Sequence, residues 1–104
     1  MKPGPTTSPP ATRRLVATVG PGFTISLRTP AGARVTTIAR GAYTITVRDR
    51  SRLHNFHLIG PRVNRRTTVA ARGTFTWRVT LRAGRYRFVC DPHAAVMRGG
   101  FRVG

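Results

Sequence analysis

The sequence predicts an all-β domain, a sandwich or barrel of about seven or eight short strands. Three observations carry this. Apolar and polar residues alternate with period two, turn signals recur about every 8–12 residues, and no segment shows a helical period.

The alternation begins at Leu15. Phe23, Ile25 and Leu27 alternate with Thr24, Ser26 and Arg28, and Tyr43, Ile45 and Val47 with Thr44, Thr46 and Arg48. The clearest run sets Phe75, Trp77, Val79 and Leu81 on one face and Thr74, Thr76, Arg78, Thr80 and Arg82 on the other. Tyr86 and Phe88 share a face with Cys90 while Arg85 and Arg87 point away; Phe101 and Val103 close the chain. Gly20-Pro21-Gly22, Thr29-Pro30-Ala31-Gly32, Gly60-Pro61, Arg72-Gly73 and Ala83-Gly84 punctuate the runs as turns. Side chains two apart share a face of a strand. Parity therefore puts the aromatics of these runs, Phe23 and Trp77 included, in the core and the strand arginines on the surface. It also places Cys90 at the end of a strand, at one rim of the sandwich, with its thiol facing inward.

The 104 residues suit one domain, able to bury a core without disulfides. Residues 1–13, rich in Pro and Thr, read as a disordered linker or tether, and 14–104 as the folded domain. The N-terminal stretch lacks the apolar segment of a secretory signal, so none is expected in this chain. No apolar run approaches the roughly 20 residues of a membrane helix. The net charge is +17; all but one of the 19 cationic residues are arginine, and only Asp49 and Asp91 oppose them. Such a surface favours anionic partners: an acidic protein, nucleic acid or an anionic cell envelope.

The chemistry concentrates in Cys90-Asp91-Pro92-His93-Ala94-Ala95-Val96-Met97. Eight residues offer a thiolate, an imidazole and a thioether, with spacing Cys-x2-His-x3-Met, on a loop leaving a strand. A thiolate, imidazoles and a weak axial Met are the donors of blue-copper electron-transfer sites. The second imidazole comes from the segment His54-Asn55-Phe56-His57, expected on a strand; the three histidines of the chain all lie in these two segments. With two Asp and no Glu, a calcium or magnesium site is not expected. Three residues after His54 on a strand, His57 should point to the opposite face, as a surface or loop-packing histidine.

From about Val16 to Val103 the chain resembles the plastocyanin/azurin family of cupredoxins. The residues that carry the resemblance are His54-Asn55, the run Tyr86-x-Phe88-x-Cys90-x-Pro92-His93, then Met97, Gly99 and Phe101-x-Val103. The resemblance implies an eight-stranded Greek-key β-sandwich with one copper ion at one end. It implies a trigonal set of His54, Cys90 and His93 with Met97 as the long axial ligand. Asn55 matches the family residue that hydrogen-bonds the ligand loop, which favours His54 over His57 as the ligand. Asp91 and Pro92 complete the surroundings; Pro92, without an N–H, cannot donate to the sulfur. The site leaves no coordination position free for substrate, so one-electron transfer is expected rather than catalysis. His93 and the small apolar residues around it would face a redox partner, expected to be acidic. The resemblance also implies a location outside the cytoplasm, and a monomer is expected. Copper storage or delivery would use the same ligands. A nucleic-acid-binding β-domain is suggested by the charge alone and ranks last, because inward aromatics leave no stacking platform and no specific nucleic acid is expected.

Overall fold

The computed structural model describes residues 13–104. They form nine strands: β1 (Arg13–Val19), β2 (Ile25–Arg28), β3 (Thr37–Ile38), β4 (Gly41–Asp49), β5 (His57–Gly60), β6 (Val63–Arg66), β7 (Gly73–Leu81), β8 (Gly84–Val89) and β9 (Arg98–Val103). One sheet has the order β2-β1-β4-β7 and the other β3-β9-β8-β5-β6. The pairs β1–β4 and β3–β9 are parallel and the rest antiparallel. The count exceeds the seven or eight expected because a strand as short as β3, two residues, shows no alternation to read. Apart from Arg13, which opens β1, the expected tether lies outside the described residues.

The period-two faces pack against each other as the pattern requires. Leu15, Ala17 and Val19 of β1, Tyr43, Ile45 and Val47 of β4, and Trp77 and Leu81 of β7 are buried. They face Leu58, Tyr86, Phe88, Phe101 and Val103 of the second sheet in one core. Phe56 and Phe88 stack at 5.5 Å between ring centroids, and Tyr86 and Phe101 at 5.2 Å. The Tyr86 hydroxyl accepts the Arg82 N–H at 2.9 Å and donates to the Arg82 carbonyl at 3.0 Å, which ties the β7–β8 corner. Every arginine is exposed, as the outward parity predicts.

Two expectations are corrected. Phe23 is not core: β2 starts only at Ile25, and Phe23 stands outside it, 67% exposed. His54 is not on a strand, because β5 starts at His57; residues 54–56 are a buried irregular lead-in. Phe75 and Val79 keep their inward parity but are only half-buried, since β7 is an edge strand.

Strand register brings the two distant segments together. β5 and β8 are antiparallel neighbours with His57 opposite Val89. Continuing that register past the strand ends sets Asn55 beside Asp91. β8 and β9 are also antiparallel, with Val89 opposite Arg98. One step further, the Cys90 N–H donates to the Met97 carbonyl at 3.0 Å. Residues 91–96 are thus the tip of a hairpin whose last rung joins Cys90 to Met97.

Candidate metal centre

Three donor atoms meet at this end of the sandwich. His54 and His93 turn their Nδ1 atoms toward each other at 3.2 Å, and each lies 3.6 Å from the Cys90 sulfur. A triangle with these edges has a point about 2.0 Å from every corner, close to the usual 2.0–2.3 Å of metal–imidazole and metal–thiolate bonds. The donors fit an ion without rearrangement. Cys90 and His54 are fully buried, whereas His93 is partly exposed. Thiolate with two imidazoles is a soft to borderline set.

The loop geometry follows from local chemistry. Cys90 is extended, and Pro92 stands at the start of a 3-10 turn, Asp91–His93. Proline lacks an N–H and has a fixed φ, so it suits the first turn of a helix. The turn bends His93 back toward Cys90, whose carbonyl accepts the His93 N–H at 3.0 Å. The His93 carbonyl in turn accepts the N–H groups of Val96 at 3.0 Å and Met97 at 2.8 Å. The Met97 backbone is therefore anchored to both Cys90 and His93, and its side chain is fully buried in the core.

Asn55, buried, locks the two segments. Its side-chain oxygen accepts the Asp91 N–H at 2.8 Å, and its amide donates to Asp91 Oδ2 at 2.8 Å and to the Thr67 carbonyl at 3.2 Å. Hydrogen bonds that hold ligand-bearing segments in place preorganise a site. His57 does diverge from His54, as the spacing predicts. It joins the site's support instead: Nδ1 lies 2.8 Å from Asp91 Oδ1, and Nε2 lies 2.5 Å from Asn64 Oδ1. Burial pushes the Asp91 carboxyl up, but hydrogen bonds from Asn55 and His57, with the charges of His57 and Arg66, outweigh it and hold it below the ordinary carboxylate value.

Two neighbours of the site went unnoticed in the sequence. Phe23 lies over both imidazoles, with ring centroids 5.5 Å from His54 and 5.1 Å from His93. No local signal marks it, because its run reads as a strand. Asp49 closes β4 as a buried acid whose Oδ1 accepts the Ser51 N–H at 3.0 Å while Oδ2 has no partner among the described residues. Burial raises its carboxyl above the ordinary value, against the Ser51 hydrogen bond and the nearby His54. Its odd parity along β4, shared with the core residues Ile45 and Val47, is the signal that would have found it.

No family model and no curated protein sequence matches the chain. Solved structures do match. Reduced rusticyanin superposes with a TM-score of 0.62 at 22% identity, over 88% of this chain and 78% of that one. A methionine-to-glutamine variant of amicyanin with Cu(I) gives 0.57 at 20% identity, over 88% and 82%. A chain of a heme-copper terminal oxidase dimer gives 0.56 at 19% identity, over 88% and 63%. The chain has the cupredoxin fold. At these identities the likeness is one of fold, and the same cupredoxin sandwich appears in small copper proteins and in an oxidase assembly. What this cupredoxin domain does rests on its own residues.

Proposed function

We propose that this chain is a small type 1 copper protein that carries single electrons. His54, Cys90 and His93 would hold the copper, with the Met97 thioether as a fourth donor. The observation that supports this most is the triangle of His54 Nδ1, His93 Nδ1 and Cys90 Sγ, with edges of 3.2, 3.6 and 3.6 Å. Thiolate, two imidazoles and a thioether, with no carboxylate donor, select copper over harder ions. Copper held there supplies a one-electron couple between Cu(I) and Cu(II). The protein holds the ligands: Asn55 and Asp91 tie the His54 segment to the loop, and burial of Cys90 and His54 keeps water from the thiolate. That enclosure favours electron transfer over delivery, since handing the metal on would require the site to open.

His93, the partly exposed ligand, is the route for electrons. The exposed large apolar side chains among the described residues are Phe23, Leu53 and Val96. All three surround this end: Phe23 packs on His93, Leu53 precedes His54, and Val96 lies in the ligand loop. A clustered apolar patch marks a protein-docking surface. Exposed Arg50, Arg52 and Arg98 lie in the same segments and suit an acidic redox partner. The chain works as a monomer outside the cytoplasm, with the patch kept for that partner. Among the described residues no helix is long and apolar enough to cross a membrane.

Adding one equivalent of Cu(II) to the purified protein tests the reading. An intense blue thiolate-to-copper band at 1:1 stoichiometry, absent in Cys90→Ser, is expected. Colourless binding, or a blue Cys90→Ser variant, would show the site to be something else.

A further inference from the structure

The outward face of the β3-β9-β8-β5-β6 sheet carries a feature that electron transfer does not use. On the central pair, Arg85 of β8 stands directly opposite Arg102 of β9. Like charges directly opposite across strands destabilise a sheet. Arg87, two residues along on the same face, stands opposite Gly100, which offers no side chain. Three exposed arginines therefore border a bare stretch of backbone, their strand positions about 5–8 Å apart by strand spacing and rise. No acid offsets them. Asp49 is buried, and Asp91 is engaged by Asn55 and His57 at the metal end. Among the described residues the one ion pair to an aspartate is that of His57 with Asp91, so no arginine has such a partner.

The composition of this face narrows what covers it. Phe23, Leu53 and Val96, the exposed large apolar residues, lie elsewhere, at the metal end. Protein hot spots combine arginine with buried aromatic anchors, and single-stranded nucleic acid needs stacking aromatics; this face has the arginines but no exposed aromatic. A smooth sheet surface also has no helix or ribbon to enter a duplex groove. Beside half-buried Ile59, which stands opposite Arg87, what it offers is mainly charge, complementary to a broad anionic plane.

We propose that the outer face of the five-stranded sheet, through Arg85, Arg87 and Arg102, docks the protein on an anionic phospholipid bilayer. Headgroup phosphates offset the repulsion between Arg85 and Arg102. The face lies along the side of the sandwich, so docking leaves the His93 end free for a redox partner. The proposal does not depend on metal, and a failed copper titration leaves it intact.

The test is co-sedimentation of the full chain, without copper, with vesicles of phosphatidylcholine alone or of phosphatidylcholine and phosphatidylglycerol at three to one. Binding to the anionic vesicles only, reversed by salt, is expected. Each arginine near a charged membrane contributes about fivefold to partitioning. The triple variant Arg85→Gln, Arg87→Gln, Arg102→Gln should therefore bind about a hundredfold less tightly. A variant of equal charge on the other sheet, Arg14→Gln, Arg28→Gln, Arg78→Gln, should stay within a few fold of the wild type. Should either triple variant fold poorly, Arg85→Gln alone should weaken binding about fivefold and raise the melting temperature in vesicle-free buffer. Equal losses in the two triple variants would reduce the effect to net charge and overturn the proposal. So would tighter binding to duplex DNA than to the vesicles at the same salt.

Discussion

At the scale of single residues, the four candidate ligands divide by how firmly the surrounding protein fixes them. His54 and Cys90 are buried, with the His54 Nδ1 held 3.6 Å from the Cys90 sulfur, so no neighbour is placed to replace either. His54→Ala should abolish copper colour. His57→Ala should keep colour and stoichiometry, because both ring nitrogens of His57 point to Asp91 and Asn64 rather than to the sulfur. A colourless His57→Ala protein with an intact blue His54→Ala protein would reverse the assignment. Asp49 yields a prediction of opposite sign to most acid effects. Burial raises its carboxyl in the folded state, so ionisation disfavours the fold above the unfolded-state pKa of roughly 3.9. The destabilisation is absent below that pKa and complete above the raised folded value. Asp49→Asn should raise the melting temperature of the metal-free protein at pH 7, and the gain should vanish toward pH 2. Asp91 behaves the other way: its carboxyl is lowered in the fold, so its contribution to stability is present at neutral pH and is lost as pH falls through the folded value. A pH-independent effect of Asp49→Asn, seen by thermal melts across that range, would contradict the account of Asp49.

At the scale of elements, the hairpin of β8 and β9 carries the site. Its register sets Cys90 against Met97, and Gly99 opposite Phe88. A Cβ on Gly99 would run into the Phe88 ring, as one on Gly60 would into Tyr86. The aromatic rings of β8 lie over glycines on either side, which leave the room the rings occupy. Gly99→Ala should cost about 1–3 kcal/mol by overpacking. Urea unfolding of the metal-free protein would measure it, and a loss below about 0.5 kcal/mol would show that Phe88 has room to move. The same elements explain what was legible beforehand. Long alternating runs such as Phe75 to Leu81 declare their faces, and β8 put Cys90 inward and at a rim. The motif on the following loop named the candidate donors. Short pieces could not be read: β3 has two residues, and the lead-in to β5 carries buried His54, Asn55 and Phe56 in succession, a pattern with no period. Phe23 was misplaced because its run looks like strand, whereas the chain pairs only from Ile25. Asp49 was missed because a buried acid breaks the rule that carboxylates face water.

At the scale of the whole molecule, the described residues form a small β-sandwich with an apolar core, buried polar groups gathered near the candidate metal-binding rim, and an arginine coat. The roles proposed for the apolar patch around His93 and for the cationic surface can be separated. With an acidic redox protein, the electron-exchange rate should fall steeply as salt rises, since the Debye length shortens to about 8 Å at physiological strength. With a basic partner it should be slow at low salt and quicken. Stopped-flow rates across a salt series would decide it; salt-independent rates with the acidic protein would show that the patch alone governs docking. All of this presupposes the metal centre. The most direct measurement is the visible spectrum of the purified chain titrated with Cu(II), beside that of Cys90→Ser. The account predicts a blue charge-transfer band that saturates at one equivalent and disappears in the variant. A wild-type protein that takes up copper without colour, or colour that survives the loss of Cys90, would contradict it.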